Sequence, residues 1–286
     1  PALQEAVRYL VGLGHRRLAM LSPKLDIRPA RERQRVFKAA VAAAGVGNDI
    51  VVFPGRGTYT GVVNLLNGQR LLGFASGLVN AQGGDKPTLS GPVILADGNT
   101  VDSIRVVRTD GIAIDGDGQD SGSVTNCEVA NTLNGGTGIQ LRDISGNWQV
   151  EDNTVNGTTG IGIDVDTQQS NVAVVRVNGN NVSGSRLFGI GAAALGQSDL
   201  KIQATNNTLS DNLSAFSMLV GTSGTSSLCM QLLSNENDSS YRFVRPSVQA
   251  PLRVEQFLVL ETLNTGTVED TGAQAVTPVP DGFCGF

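Results

Sequence analysis

Aromatic residues are scarce in this 286-residue chain: they make up 5% of it, with one Trp and three Tyr. That leaves little material for an extended sugar-stacking surface. There is a single His, at position 15, directly after Gly14. No nucleophile or metal-ligand partner stands near it, so a structural or capping role is expected rather than catalysis. Three Cys leave one over in any disulfide scheme. No apolar run approaches the roughly 18 residues of a membrane-spanning helix, so no span is expected. Pro1 opens the chain without a charged-then-apolar leader, which leaves location undecided. Glycine, by contrast, is abundant at 36 residues. Many glycines between short apolar runs mean many turns.

Charge divides the chain. Residues 1–48 carry nine Lys and Arg against three acids, whereas the whole chain has a net charge of −5. Composition shifts at the same place, from Ala and Arg to Gly, Asn, Thr, Val and Asp, which marks a boundary between two units. In the first unit, Leu3, Ala6, Val7, Leu10 and Val11 recur at helical spacing, and Leu18–Leu21 suits a buried strand. A second helix is expected from Pro29 to Ala44, with Gly45 at its C-cap. This α-β-α unit is too small to close a core alone. Its basic surplus reads as a solvated helix face, and no nucleic acid partner is expected.

The second unit repeats. Val150-x-Asp-Asn153-x-Val155, Val177-x-x-Asn180-x-Val182 and Ala204-x-x-Asn207-x-Leu209 form one column, continued by Cys127 upstream and Asn235 downstream. A second column follows: Gly111-Ile112, Gly138-Ile139, Gly160-Ile161 and Gly189-Ile190. Successive members of the first column, which begins at Ile104, lie 23 to 28 residues apart, a solenoid period. Within each period, short apolar alternations separated by Gly, Asn, Asp, Ser or Thr predict strands. Three short strands per turn predict a parallel β-helix; a sandwich would turn every 8 to 12 residues or so without column identity. Asn153, Asn180, Asn207 and Asn235 then form an internal ladder of amide hydrogen bonds, and Cys127 is a small buried residue in the same slot. The expected organisation is an α-β-α segment at 1–48, a β-helix at 49–245 with 22 to 28 residues per rung, and a C-terminal cap or tail at 246–286. Cys229 and Cys284 are candidates for a disulfide that clasps this tail.

Two resemblances accompany these readings. Gly14-His-Arg-Arg-Leu-Ala19 and Arg31-Glu-Arg33 through Gly45 resemble a fragment of the effector-binding domain of LacI-type regulators, although Val36 stands where that family has Gly. That family's DNA-binding motif is absent from these residues. Val51-Val-Phe-Pro-Gly55 through Tyr59-Thr-Gly61, Leu66 through Leu72-Gly73 and the two columns resemble right-handed parallel β-helix proteins of the pectate-lyase-like superfamily, of the bacterial secreted or surface type. This resemblance implies a secreted or cell-surface protein and covers roughly four fifths of the chain; a monomer is expected.

The fourth residue after each Gly of the second column is Asp115, Arg142, Asp164 and then Ala193. In register, two carboxylates would stand about 10 Å apart with a cation between them, near the roughly 6.5–9.5 Å used by inverting glycosidases. Asp115, Arg142 and Asp164 are therefore the candidate catalytic residues, with a charge-balancing ladder as the competing account. Asp117, Asp143 and Asp166 lie close by, and the resemblance implies Ca²⁺ as the one metal they would hold. No other cofactor is expected. Trp148, placed on a loop beside Arg142 and Asp143, is the candidate sugar contact. The Gly-His-Gly and Arg-x-Lys motifs of the superfamily's hydrolases are absent from the sequence. Three functions stay open: a non-catalytic, adhesin-like solenoid contacting polysaccharide or a cell-surface glycan; a polysaccharide lyase or glycoside hydrolase; and a sugar-responsive regulator resting on residues 1–48 alone.

Overall fold

The computed structural model describes residues 17–20, 45–52, 58–73, 86–245, 249–271 and 275–286. They form a mainly β parallel solenoid with about 27 residues per turn. Three parallel sheets of eleven, nine and eight strands make its walls. The strand Arg17–Met20 pairs in parallel with Asp49–Val52 and so joins the eleven-stranded sheet. Both helices expected within residues 1–48 lie outside the described residues. In the stretch expected to form the cap, Leu252–Glu255 and Thr277–Val279 add to the eleven-stranded sheet and Thr267–Asp270 to the nine-stranded one.

The core follows from alternation. Each strand sends every second side chain inward, and parallel pairing stacks equivalent residues one turn apart. In the eleven-stranded sheet Val101, Val124, Val150, Val177, Ala204 and Leu232 form one such stack. Val106, Val129, Val155, Val182 and Leu209 form another in the eight-stranded sheet. Ile114, Ile139, Ile163, Ile190 and Met218 line the nine-stranded sheet. All of these residues are buried in a single apolar cluster.

The asparagine ladder satisfies the polar groups of one corner. Asn153 Nδ2 donates to Asn180 Oδ1 at 2.9 Å, and Asn180 Nδ2 to Asn207 Oδ1 at 2.9 Å. Asn207 continues to Asn235 at 2.8 Å and Asn235 to Asn264 at 2.9 Å. Each amide's other hydrogen goes to a carbonyl of the preceding turn, such as Val150 O for Asn180. Each Oδ1 also accepts the backbone N–H of the residue above it in the column, and for Asn153 that residue is Cys127. The Cys127 thiol is fully buried, and burial pushes its pKa up to about 12, so it is inert at neutral pH.

One irregularity shapes the wall. Ser145–Glu151 carries an extra residue relative to Asp120–Thr125, with Gly146 at φ 70°. Below this bulge the Trp148 ring fills the interior, 1% exposed, and its Nε1 donates to Ser145 O at 3.0 Å. Gly122, paired with Trp148, makes the room: a Cβ there would stand 2.6 Å from the indole.

Candidate functional site

The sequence placed Arg142 between Asp115 and Asp164, and the structure corrects this. Asp115 pairs with Gln140, and Gln140 pairs with Asp164. Gln140 Nε2 donates to Asp164 Oδ2 at 3.3 Å. Arg142 lies two residues further along, where its Nε meets Asp166 Oδ2 at 3.4 Å. The error arose because 136–138 and 160–162 both read Gly-x-Gly, so the wrong pair of glycines was matched. A slip of two residues keeps every side chain on its own face, so the hydrophobic pattern gives no warning.

This column holds two desolvated carboxylates. Burial is the main cause that raises the pKa of Asp115, reinforced by the nearby Asp117 carboxylate, and its Oδ1 is buried without a hydrogen-bond partner. Burial likewise raises that of Asp164, against the lowering effect of the Gln140 hydrogen bond. The folded chain therefore binds more protons than the unfolded chain just above the ordinary value of 3.8. Stability contributed by the two groups is present in acid and falls as pH rises through their folded pKa values. Asp164→Asn is expected to flatten that fall and to raise the melting temperature at neutral pH, as followed by thermal melts across a pH series.

Asp117, Asp143 and Asp166 do not gather into a Ca²⁺ site. Asp166 accepts from the Asp143 N–H at 2.9 Å, from Gln168 at 3.1 Å and from Arg142. Asp143 accepts from Gln169 at 2.8 Å and Asn171 at 2.9 Å. The Asp143 and Asp166 carboxylates tie successive turns together. Among the described residues no group of three or more His, Cys, Asp or Glu is placed to hold a metal ion. Trp148, expected on a loop as a sugar contact, lies inside a strand with its ring turned into the core. Asn147 and Gln149 on either side of it face solvent instead.

A surface that the sequence reading passed over lies on the outside of the eleven-stranded sheet. Thr100, Ser123, Gln149, Arg176, Gln203 and Gln231 stack in one outward column over six successive turns. Each stands four residues before its turn's place in the column of Ile104, Cys127 and the four asparagines, a constant offset visible in the sequence. Where the bulge lifts the wall, a groove of about 330 Å³ opens, lined by Thr100, Ser121, Ser123, Asn147, Gln149 and Arg176. Ser123 Oγ donates to Thr100 Oγ1 at 3.1 Å, and Ser121 Oγ accepts the Asn147 N–H at 3.0 Å. Arg176 is exposed and has no ion pair or side-chain hydrogen bond among the described residues. Hydroxyls, primary amides and one free guanidinium suit recognition of a hydroxyl-rich ligand. They include no nucleophile–base pair.

The solenoid has counterparts among solved structures. It is similar to the crystal structure of alginate lyase from Paenibacillus sp. str. FPU-7, at 12% identity over 86% of this chain and 95% of that chain, with a TM-score of 0.37. It is also similar to the catalytic unit of the thermostable GH87 alpha-1,3-glucanase from Streptomyces thermodiastaticus strain HF3-3. That match is at 12% identity over 87% of this chain and 67% of the other, with a TM-score of 0.26. Likeness at this level assigns no activity. No protein-family model and no curated protein matches the chain, so residues 1–48 gain no link to LacI-type regulators.

Cys229 and Cys284 are joined in a disulfide. Cys229 faces outward from the eleven-stranded sheet, between Lys201 and Arg253 of the adjoining turns.

Proposed function

We propose that this chain is a rigid, non-catalytic β-solenoid of a secreted or cell-surface protein that contacts polysaccharide along the outer face of its eleven-stranded sheet. The observation that carries this reading is the outward column from Thr100 to Gln203, with its groove at the bulge. A chain of sugars lying along the solenoid axis would meet a new polar side chain at each turn, about every 4.8 Å. The disulfide fits an oxidising compartment outside the cytosol. The pectate-lyase-like superfamily remains the resemblance that best accommodates such a surface.

Binding to a panel of neutral and acidic polysaccharides tests this directly. Arg176→Ala is expected to weaken binding roughly tenfold, the worth of about one charge-assisted hydrogen bond. Asp115→Asn and Asp164→Asn are expected to leave it unchanged. Equal binding by wild type and Arg176→Ala would contradict the placement of the site.

The raised pKa values of Asp115 and Asp164 favour one second reading, a glycan-cleaving enzyme of the same superfamily with its acid on the nine-stranded sheet. Cleavage of any panel member by the wild type, abolished in Asp164→Asn, would replace the non-catalytic reading.

A further inference from the structure

The polar column does not run free to the end of the solenoid. After Gln203 it passes beneath the C-terminal tail. Gln203 Nε2 donates to Gln231 Oε1 at 2.6 Å, and Gln231 Nε2 donates both to Glu255 Oε2 at 2.8 Å and to Asp281 Oδ1 at 3.2 Å. The Cys284 N–H donates to Glu255 Oε1 at 2.6 Å. Glu255 is 1% exposed and Cys284 1% exposed, although Glu255 continues the outward side of its strand. The tail thus crosses the outside of the last turns, where its disulfide to Cys229 fastens it. Asp281, Gly282 and Phe283 form its exposed outer surface.

From this juxtaposition we propose that residues 281–285 are a fixed stop at one end of the polysaccharide track, so that the tail sets how long a saccharide the sheet can hold. The inference rests on the reading of the outer face as a glycan-binding surface. Open turns run from Thr100 to Arg176, where the groove lies, with Gln203 at the margin. Gln231 and Glu255 have the chemistry to continue the track, since an amide and a carboxylate both bond sugar hydroxyls. The tail's own Asp281 carboxylate and Cys284 N–H already occupy them. In effect the tail sits where the far end of a longer ligand would lie. A saccharide no longer than the open turns does not reach it and is indifferent to its presence. A longer one must either leave its end unbound or displace a segment held by a covalent bond.

The test compares wild type, Cys284→Ser and a chain ending at Pro280, using gluco-oligosaccharides and oligouronates in a size series from disaccharides to chains longer than the sheet. Circular dichroism and the melting transition confirm that each protein keeps its solenoid. The truncated chain keeps the experiment decisive if Cys284→Ser leaves the tail docked. Releasing or removing the tail is expected to tighten binding of the longest members roughly five- to tenfold, as one or two added hydrogen bonds would give. The shortest members that bind should be unaffected. Identical affinities for all lengths in wild type and truncated protein would overturn the stop while leaving the glycan-binding reading in place. Absence of binding in every protein would remove both. Equal tightening for short and long members would also overturn it, because it would mean that the tail covers the groove itself.

Discussion

Asn180→Ala is expected to lower the free energy of unfolding by about 3–5 kcal/mol, measured by urea denaturation with an unchanged m-value. The substitution strands several groups at once. Asn153 loses the acceptor of both its backbone N–H and its Nδ2, and Val150 O loses its side-chain donor. These atoms lie in a buried column that water does not reach, and each unpaired group costs about 1–3 kcal/mol. Asn181, its exposed neighbour, is the control, and Asn181→Ala is expected to change stability by no more than about 0.5 kcal/mol. A similar small loss at both positions would mean that the ladder contributes little to holding the turns together.

Trp148→Ala should cost as much by a different route. The side chain is 1% exposed and the largest in the core, and its removal leaves a cavity under the bulge. Buried Trp-to-Ala changes cost about 3–5 kcal/mol through lost transfer energy and residual void. The change also tests the site, because the indole lies directly beneath the groove. Loss of stability with loss of binding is expected; lost stability with unaltered binding would place the ligand elsewhere. Gly122→Ala presses on the same ring from the neighbouring strand and should destabilise in the same direction.

Much of this architecture was legible in the sequence, because a solenoid writes each core position once per turn. The ladder asparagines, the inward valines and the Gly-Ile strands recur at a near-constant interval, and stacking makes the recurrence a contact. Asn264 stands 29 residues after Asn235, but it directly follows the short helix Leu260–Leu263, which interrupts the strand alternation that marks the other rungs. The candidate acids were placed in the right column, but their partner was not. Two interchangeable Gly-x-Gly runs allow a slip of two residues that costs nothing in hydrophobic pattern. Trp148 was misplaced for a related reason: one extra residue at Gly146, a glycine in the left-handed region, resets the alternation within the strand. The outward column carries no recurring residue type that would mark it in the sequence. A polar position varies in identity from Thr to Arg, and only its constant offset from the ladder betrays it.

The proposed seat of the polysaccharide is the outer face of the eleven-stranded sheet. Hydroxyl-radical footprinting of the protein, with and without the polysaccharide it binds most tightly, tests it most directly. Val174 and Arg176, which both line the groove, are expected to lose reactivity on binding, while Ile161 and Phe188, two residues before the strands of Asp164 and its partner Gly191, keep theirs. Protection of Phe188 and Ile161 with Val174 and Arg176 unchanged would contradict the account and move the site to the nine-stranded sheet.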